Sequence, residues 1–123
     1  MVSKKNVLIV DDEEVIRDVC VQILSAEGYE VSTAASCEEA LRLISEHVYD
    51  AMVTDIMMPE MSGLELLEIL RSSNLDMRTV VITGLGTFDM ATQTDRLGAR
   101  EFLVKPFTPE ELSEAVRKAM AGC

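Results

Sequence analysis

Short, uninterrupted apolar runs alternate with longer amphipathic stretches along the whole chain. Val7-Leu8-Ile9-Val10 is apolar at every position, the pattern of a strand covered on both faces. Residues 12–26 follow, with Val15, Ile16, Val19, Ile23 and Leu24 at helical spacing, and Gly28 closes that helix. Glu30–Ala34 reads as a more polar strand, as expected at a sheet edge. Ala51-Met52-Val53-Thr54-Asp55 is the third predicted strand, Thr79-Val80-Val81-Ile82-Thr83 the fourth and Glu101-Phe102-Leu103-Val104 the fifth. The fourth is the best β-branched run in the chain.

Helix starts are marked by polar signals. Ser36-Cys37-Glu38-Glu39 and Ser62-Gly63-Leu64-Glu65 have the spacing of capping boxes, the second leading a helix with Leu66, Leu67, Ile69 and Leu70. Thr108-Pro109-Glu110-Glu111 adds proline at the first helical position. Residues 87–97 are predicted as a helix between Thr87 and Gly98, although Thr92, Gln93, Thr94 and Asp95 are poor helix formers, so it is expected to be the most mobile one. Five βα units predict an α/β fold: a doubly wound, five-stranded parallel sheet with five helices on its two faces and right-handed crossovers.

At 123 residues and 48% hydrophobic, the chain reads as a single domain over residues 1–123 with a proper core. Its 22 acidic against 11 basic residues give a net charge of −11. That balance argues against direct nucleic-acid contact and against an anionic membrane surface. No apolar run is long enough to span a bilayer, and residues 1–10 are too short for a signal peptide, so a cytoplasmic location is expected. Cys20, Cys37 and Cys123 form no metal-ligand spacing and read as free thiols, Cys20 being placed to pack with Ile16 and Leu24. His47 reads as a surface residue, and the Met-rich stretch 57–61 as a loop with apolar cover.

In open parallel sheets, chemistry gathers beyond the carboxyl ends of the strands. There the first strand delivers Asp11 and Asp12, the third Asp55, the fourth Thr83 and the fifth Lys105, while the second delivers only Ala35 and Ser36. Two carboxylates about 4 Å apart repel by roughly 4 kcal/mol at an effective dielectric of 20, so such a rim calls for a cation. Hard oxygen ligands without His or Cys favour Mg²⁺. A metal-held Asp55 could act as nucleophile toward a phosphoryl group, with Lys105 and the Thr83 hydroxyl on the remaining oxygens. Glu13 and Glu14, by contrast, read as dipole complements in the first turn of the first helix.

These residues resemble the receiver domain of two-component response regulators, the family of the chemotaxis protein CheY. The resemblance covers essentially the whole chain. It rests on residues 7–13 with the Asp11-Asp12 pair, Thr54-Asp55-Ile56-Met57-Met58-Pro59, Met61-Ser62-Gly63-Leu64-Glu65, Val81-Ile82-Thr83-Gly84, Gly98-Ala99 and Lys105-Pro106-Phe107. It implies strand order 2-1-3-4-5 and a flavodoxin-like fold. It also implies that Asp55 is the phosphoacceptor, served by a sensor histidine kinase or a phosphotransfer protein. Asp12 would ligate Mg²⁺ directly, Asp11 mainly through water, and Met57 through its backbone carbonyl. Thr83 would be the switch hydroxyl, Lys105 its charged partner and Phe102 the switch aromatic, with a cis peptide between Lys105 and Pro106. Output would pass to a partner, to a second copy through the face of the fourth helix, fifth strand and fifth helix, or to an effector domain outside this sequence. Met57 and Leu85 depart from commoner polar choices, and both would restrict an attacking water and slow autodephosphorylation. The polar segment 92–95 departs from the family's usual alanine-rich pattern.

Other functions fit less of the sequence. A haloacid-dehalogenase-like phosphatase with Asp55 as nucleophile would need a general acid/base two residues later, where Met57 cannot transfer a proton. A flavodoxin-like cofactor binder would need a hydroxyl- and glycine-rich loop where Asp11-Asp12-Glu13-Glu14 stands. A receiver-like interaction module that is never phosphorylated stays open, weakened because no site residue is missing.

Overall fold

The computed structural model describes residues 4–58, 62–73, 77–84 and 86–121. Five strands, β1 (Asn6–Val10), β2 (Glu30–Ala34), β3 (Ala51–Asp55), β4 (Arg78–Thr83) and β5 (Glu101–Val104), alternate with five helices. The helices are α1 (Glu14–Ala26), α2 (Cys37–Glu46), α3 (Gly63–Ser72), α4 (Phe88–Arg96) and α5 (Pro109–Ala121). The strands form one parallel sheet in the order β2-β1-β3-β4-β5, as expected. β2 is an edge strand and is largely exposed, in keeping with its polar sequence.

The period of two along each strand divides the core into two layers. Leu8 and Val10 of β1, Met52 of β3 and Val81 of β4 pack with Cys37 and Ala40 of α2 and Leu66, Leu67 and Leu70 of α3. Their neighbours Val7, Ile9, Ala51, Val53, Val80 and Ile82 face the other side, against Cys20 and Leu24 of α1 and Leu112, Ala115, Val116 and Ala119 of α5. The continuous apolar runs therefore feed both layers at once. Burying Cys20 raises its thiol pKa to about 12, with the charge of Asp11 adding to the effect, so it packs as a neutral side chain.

Several local expectations change. The first helix begins at Glu14 rather than at residue 12, because Asp11 Oδ1 accepts the N–H of Glu13 at 2.9 Å and holds that turn outside the helix. Val15 and Val19 do not face the core: Val15 is 71% exposed and Val19 is also exposed, one position off the buried stripe that includes Cys20 and Leu24. Ser36 caps α2 through the N–H of Glu39, but the Glu39 carboxylate takes the N–H of Ala35 instead of closing a reciprocal box. The boxes at Ser62/Glu65 and Thr108/Glu111 do close in both directions. α4 forms despite its threonines: Thr87 caps it by accepting the Met90 N–H, and the hydroxyls of Thr92 and Thr94 are satisfied within the helix by the carbonyls of Phe88 (2.9 Å) and Ala91 (3.0 Å). Gly28 and Gly98, with φ of 95° and 94°, end α1 and α4 in the left-handed conformation glycine tolerates.

Candidate functional site

The carboxyl ends of β1, β3, β4 and β5 lie side by side on one rim, which brings together residues far apart in sequence. Asp11 is fully buried there, and its backbone and side chain are fixed from several directions. Its N–H donates to the Ala34 carbonyl at 3.1 Å, and its carbonyl accepts from the Arg17 guanidinium at 2.9 Å. Oδ1 accepts the Glu13 N–H, and Oδ2 accepts the Lys105 ammonium at 3.0 Å. Asp55, also buried, is arranged in parallel fashion: Oδ1 accepts the Met57 N–H at 2.8 Å and Oδ2 accepts Lys105 Nζ at 2.7 Å.

Two backbone features set these positions. A Cβ at Gly63 would lie 2.5 Å from the Asp55 carbonyl oxygen and 2.6 Å from Ile56 Cα, so only glycine lets α3 start so close to the end of β3. The Lys105 N–H donates to the Thr83 carbonyl at 2.8 Å, tying the end of β5 to that of β4 just before the cis Lys105–Pro106 peptide.

Electrostatically the rim is unbalanced. Asp11, Asp12, Glu13 and Asp55 each offer an oxygen within 4.8 Å of the others, and the Lys105 ammonium pairs with three of them, Asp11, Glu13 and Asp55. Burial raises the pKa of Asp11 above its ordinary 3.8, opposed by the Glu13 N–H and by Lys105. Burial works against the charge on Lys105, but hydrogen bonds to Asp55, Asp11 and Glu13 outweigh it and hold its pKa above the usual lysine range.

The predicted residues are thus placed unequally. Asp11, Asp55 and Lys105 are in direct contact, and Asp12 sits exposed at the rim within the same oxygen cluster. Thr83 is buried at the end of β4 and meets Lys105 through the backbone. Met57 lies beside Asp55 with its side chain half exposed, while Leu85 is outside the described residues. Phe102 is paired with Val81, half-buried against the α2/α3 layer, and lines a groove of about 350 Å³ with Thr94 and Ala99.

Glu13 and Arg17 are the residues that sequence reasoning missed. Glu13 was expected to complement the helix dipole. It occupies the N-cap position of α1, but its side chain makes no capping bond and instead reaches Lys105 at 3.1 Å. An acidic residue before a helix carries the same local signal in both roles, so only the approach of Lys105 from β5 reveals the difference.

Residues 7–117 match the family model of the response regulator receiver domain. A probable transcriptional regulator, ycf27 of Guillardia theta, is 38% identical over 118 residues, covering 96% of this chain and 46% of the relative. The chain spans about half the length of the curated relatives it matches. A CheY-like receiver domain protein from Methanospirillum hungatei has a TM-score of 0.90 at 35% identity, over 96% of this chain and 94% of that one. The response regulator TrrA of Thermotoga maritima, solved in complex with Mg²⁺-BeF, has a TM-score of 0.84 at 36% identity, over 94% and 98%. The chain belongs to the response regulator receiver domains of two-component signalling systems.

Proposed function

We propose that Asp55 accepts a phosphoryl group from a sensor histidine kinase or a phosphotransfer protein. The observation that carries this reading is the pair of bonds on Asp55: Oδ1 is pinned by the Met57 N–H, and Oδ2 meets the Lys105 ammonium at the rim. The bond to Oδ1 fixes the orientation of the carboxylate, and Oδ2 becomes the nucleophile when the ammonium moves from it to the phosphoryl oxygens. The new P–O bond forms at Asp55 as the P–N bond to the donor histidine breaks, leaving the imidazole as leaving group. Lys105 and the Thr83 hydroxyl then serve the phosphoryl oxygens.

The donor set suits Mg²⁺: all oxygen, with four carboxylates within reach of one another and, among the described residues, the Lys105 ammonium as their single cationic partner. Asp11, Asp12, Asp55 and the Met57 carbonyl are the residues that would hold it, and a relative's complex with Mg²⁺-BeF supports the assignment. Bound there, Mg²⁺ would offset the repulsion between the carboxylates and the incoming phosphoryl charge.

The added charge of about −1.5 to −2 draws Thr83 toward Asp55 and, through β4 and β5, biases Phe102 and the α4–β5–α5 face. That face then engages a partner, a second copy of the chain, or an effector domain outside this sequence. On this reading the chain acts in the cytoplasm as a signalling phosphoacceptor rather than a turnover enzyme, its only chemistry being phosphotransfer to itself and autodephosphorylation. Among the described residues no helix is long and apolar enough to cross a membrane. Beryllofluoride with Mg²⁺ tests the switch: amide shifts of β4 and β5 should move together with those around Asp55. A response confined to the loop after Asp55 would overturn it.

A further inference from the structure

Lys105 shares its ammonium among three carboxylates that are not equivalent. Asp11 Oδ2 and Asp55 Oδ2 form the buried floor, and each carboxylate has its other oxygen committed to a backbone N–H. Glu13 Oε1 reaches the same nitrogen at 3.1 Å from the rim, on a side chain that is 60% exposed. It does so from an N-cap position, where a carboxylate ordinarily accepts an N–H of the first helical turn, and it makes no such bond.

We propose that Glu13 is a positioning residue that holds the Lys105 ammonium on the solvent side of the pocket when a divalent cation takes the oxygens of Asp11 and Asp55. The inference rests on the cation reading given above. A cation and the ammonium compete for the same two buried oxygens, and like charges cannot share them closely. The ammonium has three N–H donors and needs an acceptor wherever it goes. Glu13 is the partner nearest to solvent among its three. Without Glu13, Lys105 either stays on the floor and opposes the cation, or leaves for water and is no longer poised beside Asp55. Glu13 therefore strengthens cation binding through Lys105 and keeps the lysine in place for the incoming phosphoryl group.

The test is a Mg²⁺ titration of the ¹⁵N-labelled chain, followed by the amide shifts around Asp55. Glu13→Gln should weaken binding roughly three- to tenfold, the scale of coupling between residues in contact. Glu13→Asp keeps the charge but shortens the reach, and should weaken it comparably. In the Lys105→Met background, Glu13→Gln should change affinity by no more than about twofold, since an exposed charge alone does little. The inference is overturned if Glu13→Gln binds as the unaltered chain does, or if Glu13→Asp restores full affinity. A loss just as large in the Lys105→Met background would also overturn it, because Glu13 would then act on the cation directly. If the unaltered chain shows no saturable Mg²⁺ response at these residues, the cation reading fails first and takes this inference with it.

Discussion

Lys105 Nζ lies 2.7 Å from Asp55 Oδ2, although fifty residues separate them, because β3 and β5 flank β4 and end on the same rim. The lysine is the counter-charge that lets two buried carboxylates, Asp11 and Asp55, stand together.

Removing it should therefore cost stability chiefly when no metal is present. Lys105→Met is expected to lose about 2–3 kcal/mol in urea unfolding with a chelator, since it leaves buried carboxylates uncompensated. Mg²⁺ should recover most of that loss and stabilise the variant more than the unaltered chain. Equal stability of the two chains in chelator would contradict the role given to the lysine.

Asp11 supplies a pH-dependent counterpart. Burial, the largest influence, raises its pKa above 3.8, so its ionisation is less favourable in the folded chain than in the unfolded one. The resulting penalty is complete above the folded pKa and disappears below 3.8. Asp11→Asn should raise Tm near neutral pH in chelator, and the gain should shrink as pH falls through the folded pKa of Asp11. A gain that grew toward acid pH would reverse the sign of this argument.

Gly63 tests how tightly the rim is assembled. Gly63→Ala would drive a methyl into the Asp55 carbonyl and the Ile56 backbone, neither of which is the flexible end of a side chain. A loss of about 1–3 kcal/mol in chemical denaturation is expected, together with shifted amide signals at Asp55 and Met57. Unchanged stability and shifts would mean that α3 can retreat without strain.

If Asp55 is the phosphoacceptor, Met57 should bear on the lifetime of its phosphorylated state. Its backbone N–H bonds Asp55 Oδ1, and its half-exposed apolar side chain offers no group to orient a water. Met57→Asn should shorten the phosphoryl half-life roughly fivefold, about 1 kcal/mol in the barrier. An equal or longer half-life would count against it.

Much of this molecule can be read from its residues, for physical reasons that also mark where reading stops. The runs at Val7–Val10 and Val80–Ile82 declare strands covered on both faces, and Asp11, Asp55 and Lys105 follow directly from the ends of those strands and their neighbours. Strand order came from the family resemblance instead, since local periodicity does not encode which strand pairs with which. The exposure of Val15 and Val19 was hidden because helical spacing defines an apolar arc more loosely than one residue's turn of about 100°. The reach of Glu13 to Lys105 was hidden because it depends on a partner 92 residues away.

Whether Asp55 takes up a phosphoryl group is decided most directly by intact-mass measurement. After incubation with Mg²⁺ and a small phosphodonor such as acetyl phosphate, the chain should gain one acid- and base-labile adduct of about 80 Da, a single phosphoryl group. That adduct should be absent from Asp55→Asn. No adduct on the unaltered chain, or an equal adduct on Asp55→Asn, would contradict the assignment of Asp55 as the acceptor.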